Sequence, residues 1–158
     1  MAGRRPEPTP AQRALALLVR REHSRPELAR KLRARGVPAD EARNAVARMT
    51  EAGWQDDLRF ACSLARSRVA GGQGPLRIRA ELASHGVADG VIEEAFAALA
   101  QAGEDDWLAR ARDLVRRRFG TSLDTLQQRR KAADFLLLRG FDGEMVRGVT
   151  RAGPVDID

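Results

Sequence analysis

An internal repeat with a spacing of 50 residues constrains the fold of this chain more than any other feature. The motif LARKL at 28–32, followed by Gly36-Val37, recurs as IRAEL at 78–82, followed by Gly86-Val87. A weaker third copy places Ala132, Leu136 and Gly140-Phe141 at the same positions. Repeats of about 20–50 residues are typical of stacked supersecondary units. We therefore predict three units at 11–54, 55–103 and 104–152, with a flexible N-terminal tail at 1–10 and a C-terminal tail at 153–158.

The residue types favour an all-α fold. Ala and Leu total 44 of the 158 residues, whereas the β-branched residues Val, Ile and Thr total 18. Straight-chain residues and alanine fill helices, whereas β-branched residues fill strands. Combined with the repeat, this composition predicts three tandem three-helix repeats. We expect them to form an elongated, curved, right-angle-linked helical array with joints near Gly53 and Gly103.

Local signals place the helices within each repeat. Ser24 is predicted to cap a helix, with Glu27 completing a capping box. Gly36 is expected to end that helix in a left-handed conformation. The apolar faces are predicted from residues spaced three or four apart. They consist of Ala14, Leu17 and Leu18; Leu28 and Leu32; Ala42, Val46 and Met49; Leu58, Ala61 and Leu64; Ile78 and Leu82; Ile92, Phe96 and Leu99; Leu108, Ala111, Leu114 and Val115; Leu126, Ala133, Leu136 and Leu137; and Met145 and Val146.

No residue pattern indicates catalysis, a metal site or a cofactor. His23 and His85 have no second ligand at a suitable spacing, so we interpret both as surface or capping imidazoles. The single cysteine, Cys62, excludes an intramolecular disulfide and is interpreted as a buried or half-buried thiol. We therefore predict that the protein is not an enzyme and has no cofactor.

Two other polar motifs have structural interpretations. The pairs Asp56-Asp57 and Asp105-Asp106 precede predicted helices, where a carboxylate stabilises the positive end of the helix dipole. The run 71–74 (GGQG) has no preceding strand and no following Lys-Ser/Thr, so it is not a phosphate-binding P-loop. We predict that it is a flexible link, and that Asp142 caps the last helix.

The charge is the strongest indication of a partner. The 28 basic and 22 acidic residues give a net charge of +6, and all basic residues except Lys31 and Lys131 are arginines. Guanidinium groups bind carboxylates and phosphates in the same bidentate manner. The arginine clusters therefore favour either a nucleic acid or an acidic protein as partner, although many arginines in such a chain only form a solvated surface.

Five segments in order resemble the RecX family of recombination regulators. Together they lie within residues 14–147, and only their combination is specific. The segments are 20–32 (RREHSRPELARKL), 53–61 (GWQDDLRFA), 66–68 (RSR), 74–82 (GPLRIRAEL) and 135–141 (FLLLRGF). Gln73 and Trp54 depart from the aromatic and the tyrosine that are usual in the family.

The resemblance implies a negative regulator that binds the RecA recombinase filament on single-stranded DNA. It implies binding in the filament groove or at its growing end, and a reduction of ATP hydrolysis, strand exchange and SOS co-protease activity. Weak binding to single- or double-stranded DNA is also implied. The predicted contacts to RecA or to DNA phosphates are Arg66, Arg68, Arg77, Arg79, Arg20, Arg21, Arg116, Arg117, Arg118, Arg129 and Arg130.

Two alternatives remain open at this stage. A basic helical module could compete with RecA for DNA without contacting RecA, and a general helical scaffold would have no effect on RecA. No apolar run reaches the ~20 residues that span a bilayer, and the N-terminus has no secretory pattern. We therefore expect a cytoplasmic monomer that does not bind membranes.

Overall fold

The computed structural model describes residues 3–151, in which nine α-helices and no strand occur. The helices are α1 (Pro10–Arg20), α2 (Arg25–Ala34), α3 (Ala39–Glu51), α4 (Asp57–Ala70), α5 (Pro75–Ser84), α6 (Asp89–Gln101), α7 (Trp107–Phe119), α8 (Leu126–Leu138) and α9 (Gly143–Thr150). The all-α prediction is confirmed. The C-terminal tail predicted at 153–158 lies outside the described residues, and the repeat boundaries stay a prediction.

The described residues form two compact units. The N-terminal unit contains 3–63 and 82–95, and the C-terminal unit contains 64–81 and 96–151. The boundaries between them fall within α4, α5 and α6. The middle third of the chain therefore contributes to both units.

The core of the N-terminal unit is built by α1, α2 and α3. Its buried residues include Leu28 and Leu32 of α2 together with Val46 and Met49 of α3. Complete burial of one such side chain contributes about 1.5–3 kcal/mol. The predicted apolar faces of α2 and α3 are confirmed.

The core of the C-terminal unit includes Leu136 and Phe141, which are 0% and 1% exposed. The predicted face of α8 is partly wrong, because Leu126 is 61% and Leu137 is 52% exposed. Leu126 is the first residue of α8, before the helix reaches the core. Leu137 follows the buried Leu136 directly, and adjacent helical residues do not share a face.

Side chains at the helix starts satisfy backbone N–H groups, as predicted. Ser24 accepts from the Glu27 N–H at 3.2 Å, Asp56 from the Arg59 N–H at 2.9 Å, and Asp142 from the Met145 N–H at 2.9 Å. The capping box predicted for α2 is wrong in its second half, because the Glu27 carboxylate pairs with Arg21 instead. Complete capping boxes occur at the starts of α1 and α8.

In the N-terminal unit, the start of α2 packs against the turn that follows α5. The Ser24 hydroxyl donates to the His85 carbonyl at 2.9 Å. A Cβ on Gly86, which has φ +77°, would lie 2.6 Å from Cγ of Pro26. Only glycine allows an approach this close in that conformation.

In the C-terminal unit, the start of α5 packs in the same way against the turn that follows α8. The Gly74 N–H donates to the Arg139 carbonyl at 2.7 Å, and the Leu76 N–H donates to the Gly140 carbonyl at 2.9 Å. A Cβ on Gly74 would lie 2.5 Å from the Gly140 carbonyl carbon. The prediction of a flexible link at 71–74 is therefore wrong, since Gly74 is required for a direct backbone contact. We call these two contacts the repeat joints.

None of the helices in the described range is both long and apolar enough to cross a membrane.

Candidate functional site

The predicted interface arginines are divided between the two units. Arg20 and Arg21 belong to the N-terminal unit, and the other predicted arginines belong to the C-terminal unit. The structure therefore brings Arg66, Arg68, Arg77, Arg79, Arg116, Arg117, Arg118, Arg129 and Arg130 into one unit. Their contacts separate those that stabilise the fold from those that face solvent.

Arg68 and Arg79 have partners within the fold. Arg68 binds the Glu81 carboxylate in a bidentate manner, with Nε 2.8 Å from Oε2 and Nη2 2.7 Å from Oε1. The hydrogen bond to Glu81 raises the pKa of Arg68 above its usual value. The Arg79 guanidinium lies over the Phe96 ring, 4.0 Å from the ring centre. Both guanidinium groups therefore join α5 to a neighbouring helix.

Arg77 and Arg66 are less constrained. Arg77 is exposed and donates from Nη1 to the Leu138 carbonyl at 3.2 Å. The side chain of Arg66 is 57% exposed, and its Nε lies 3.9 Å from Oε1 of Glu104. An exposed ion pair at this distance contributes about 0–1 kcal/mol. Arg66 is therefore available to a partner at little cost to the fold.

The arginine run at the end of α7 shares one carboxylate. Nη2 of Arg116 lies 2.8 Å and Nη2 of Arg117 lies 2.9 Å from the two oxygens of Asp113. Arg118 extends toward the Phe135 ring, 5.8 Å from its centre. Since one acidic group faces two guanidinium groups, this end of α7 keeps a net positive charge.

We give the name α4–α7 face to Arg66 of α4 together with Arg110 and Arg117 of α7. A cavity of about 160 Å³ between the helices is lined by Ala70, which lies one turn after Arg66, and by Arg110 and Arg117. The Arg110 Nε donates to the Glu104 carbonyl at 3.0 Å, beside the carboxylate that faces Arg66. This face is the candidate site for an acidic partner.

Sequence reasoning missed Arg110. The signal was present, because residues 110, 113 and 117 follow the i, i+3, i+7 spacing of one helical face. Gln73 also lines the cavity, and its buried Oε1 has no hydrogen-bond partner among the described residues.

Arg129 and Arg130 lie in the first turns of α8. The Arg129 Nε donates to the Leu123 carbonyl at 3.1 Å, whereas Arg130 is exposed. In the N-terminal unit, Arg20 is exposed and lines a cavity of about 480 Å³ with Lys31 and Arg35.

His23 is buried, contrary to the prediction of a surface or capping residue. It is 1% exposed, with Nδ1 2.9 Å from the Arg21 carbonyl and Nε2 3.0 Å from Nζ of Lys31. A carbonyl only accepts and an ammonium only donates, so Nδ1 carries the proton and Nε2 accepts. His23 is therefore neutral, and burial lowers its pKa below 6.5.

His23 belongs to a buried polar network that the sequence did not reveal. The Gln55 side chain, 1% exposed, donates to the His23 carbonyl at 3.2 Å and to Oδ1 of Asp57 at 2.9 Å. Glu27, 3% exposed, pairs with Arg21 and lies 3.7 Å from Lys31. Burial opposes ionisation of Glu27, but the hydrogen bond and charge of Arg21 outweigh it and lower its pKa.

We expect the melting temperature to fall as the pH decreases from about 7 to about 5. Because the pKa of His23 is lower in the folded state, the unfolded chain takes up a proton first, and stability is lost below about 6.5. The contribution of Glu27 is present above about 4.5 and is lost only at lower pH. Calorimetry of His23→Gln should show a flatter slope between pH 7 and 5, with the decline below about 4.5 retained. An unchanged slope would contradict the assignment to His23.

The other chemistry-bearing residues have no site around them. Within residues 3–151, no group of three or more His, Cys, Asp or Glu side chains is placed to hold a metal ion. Cys62 is half-buried, as predicted. His85 packs edge-on against Phe60, with the ring centres 5.2 Å apart.

Three family models match this chain in order. Their descriptions are RecX, first three-helix domain, at residues 12–49; RecX, second three-helix domain, at 56–95; and RecX, third three-helix domain, at 104–150. They confirm the prediction of three-helix repeats and the resemblance to the RecX family.

Curated relatives and solved structures agree with these matches. Regulatory protein RecX of Stenotrophomonas maltophilia (strain R551-3) is 59% identical over 97% of this chain and 93% of its own length. Regulatory protein RecX of Xanthomonas axonopodis pv. citri is 58% identical over 92% of this chain and 88% of its own. The crystal structure of RecX from Lactobacillus salivarius has a TM-score of 0.72 at 19% identity, covering 89% of this chain and 91% of that one.

Proposed function

Since the chain belongs to the RecX family of regulatory proteins, we propose that it is a negative regulator of RecA recombinase. It binds the filament of RecA on single-stranded DNA, in the groove or at the growing end, and blocks extension. Inhibition of ATP hydrolysis, strand exchange and SOS co-protease activity follows from the loss of active filament. The protein acts without catalysis, as a cytoplasmic monomer.

The observation that carries this proposal is the presence of all three family domains, in order, over most of the chain. The α4–α7 face supports it with suitable chemistry. The side chains of Arg66 and Arg117 are 57% and 75% exposed. Arg66 faces the distant carboxylate of Glu104, and Arg117 shares the carboxylate of Asp113 with Arg116. Guanidinium groups in that state can exchange a weak internal pair for a carboxylate of a partner.

The predicted arginines differ in what their removal would disturb. Arg66, Arg116, Arg117 and Arg130 are exposed residues whose replacement leaves the core intact. Arg68 and Arg79 position α5 through Glu81 and Phe96, so their replacement would disturb the fold together with any contact they make to a partner. Tests of binding should therefore change Arg66 and Arg117 and leave Arg68 in place.

We expect the protein to lower DNA-dependent ATP hydrolysis by RecA when it is added after filaments have formed. Inhibition at protein concentrations well below that of RecA would follow from blocked growth, because one bound molecule stops addition of many protomers. A steady-state ATPase assay on preassembled filaments measures this directly. No change at excess protein would refute regulation of RecA and leave a helical scaffold.

Competition for DNA is distinguished in the same assay. A protein that only competes for DNA loses its effect when free single-stranded DNA is added in proportion to the protein. A protein that binds the filament keeps inhibiting under those conditions. Relief in proportion to added DNA would therefore replace our proposal by the competition alternative.

A further inference from the structure

A second basic site lies in the C-terminal unit, apart from the residues of the α4–α7 face. It is a cleft of about 480 Å³ bounded by residues 120–124 of the loop that connects α7 to α8. Arg112 and Arg116 of α7, Arg129 of α8 and Arg151 after α9 complete its walls. The cleft therefore gathers four guanidinium groups from α7, from α8 and from the residue that follows α9.

The acidic residues that line the cleft do not neutralise its arginines. Asp124 is the single acidic residue in its lining, and its Oδ2 accepts from the Ser122 hydroxyl at 3.0 Å. The side chains of Arg112 and Arg151 are exposed and form no ion pair or hydrogen bond with any part of the chain that the structure describes. The lining thus carries three more positive than negative charges, although Arg116 also pairs with Asp113, which lies outside the lining.

The loop adds neutral donors to these charges. Gly120 has φ +89°, and the three backbone N–H groups of 121–123 donate to no group within residues 3–151. The hydroxyls of Thr121 and Ser122 lie in the same loop. Successive free backbone N–H groups beside arginines are a recurrent arrangement for binding oxyanions.

We propose that this cleft binds a phosphate group. Arginines and loop residues with hydrogen-bond donors line the same concave space. A tetrahedral anion offers such a lining more acceptor oxygens than a single planar carboxylate does. The phosphate can belong to a nucleic-acid backbone or be free, and the experiment separates these two sources. The inference does not depend on RecA, so it can fail while the proposed function holds.

The first measurement uses the complete protein labelled with ¹⁵N. Titration with inorganic phosphate, and separately with a short oligothymidylate, should shift the amide signals of 121–123 saturably. If the ligand is the backbone of nucleic acid, the oligonucleotide should saturate the site at concentrations at least about tenfold lower than phosphate does, because several phosphates are contacted at once. Saturation by inorganic phosphate alone identifies a free phosphate, and no shift with either probe overturns the proposal.

The second measurement uses Arg112→Ala combined with Arg151→Ala. Fluorescence anisotropy with labelled oligothymidylate should show affinity at least about tenfold weaker, and a slope of log affinity against log salt smaller by about 1.4 for two lost phosphate contacts. The matched control is Arg30→Ala with Arg33→Ala, which removes two exposed charges from α2. An equal loss of affinity for the oligonucleotide in both double variants would overturn the cleft as the site. Binding of polyglutamate as tightly as the oligonucleotide would also overturn it.

Discussion

Alanine in place of Gly140 is expected to lower the free energy of unfolding by about 3 kcal/mol, from left-handed backbone strain and overpacking together. Gly140 has φ +93°, where an L side chain is strained. A Cβ there would also lie 2.6 Å from the backbone nitrogen of Arg77, so α5 must move away. Urea denaturation followed by far-ultraviolet circular dichroism measures the change.

Gly36→Ala is the matched control. Gly36 ends α2 with φ +89° and the same pattern of hydrogen bonds, but a Cβ there would meet nothing within 4 Å. Its replacement should cost only the conformational strain, about 1 kcal/mol. Equal losses in the two variants would show that the close approach of α5 to Gly140 contributes nothing.

Reversal of Arg66 and Arg117 to glutamate is expected to raise the concentration needed for half-inhibition of RecA by at least about tenfold. Like charges placed against each other at an interface cost several kcal/mol, and about 1.4 kcal/mol is already a factor of ten. The fold should survive, because both side chains are more than half exposed. The RecA ATPase assay measures the effect, and circular dichroism verifies the helix content.

The control for this experiment is Arg30→Glu with Arg33→Glu in α2. It makes the same change in net charge on an exposed helix of the N-terminal unit. Retained inhibition in the control and loss in the α4–α7 variant would locate the partner on that face. Full inhibition by the α4–α7 variant would remove Arg66 and Arg117 from the interface.

The sequence predicted features that depend on neighbouring residues. Ser24, Asp56 and Asp142 cap helices because each side chain reaches a backbone N–H only three residues ahead. Gly36 ends a helix because left-handed backbone is local geometry. The apolar face of α3 follows from helical spacing alone.

The features that the sequence did not predict depend on distant partners. His23 is buried by contacts with Lys31 and Gln55, the latter 32 residues away. Gly74 is packed because Gly140 lies against it, and no local pattern indicates which glycines meet. The same limit applies to the candidate site. Arg68 stabilises the fold because it binds Glu81 in a bidentate manner, whereas Arg66 is available to a partner because Glu104 is 3.9 Å away.

The two repeat joints use different donors for the same acceptor position. In the first joint a serine hydroxyl binds the carbonyl before the glycine, and in the second the backbone N–H of Gly74 does so, at the position 50 residues later. The two joints therefore keep the acceptor carbonyl at the same position and differ in the group that donates to it. A protein engineer who grafts an additional repeat would therefore keep a glycine in the receiving turn and could place either a serine or a glycine at the helix start.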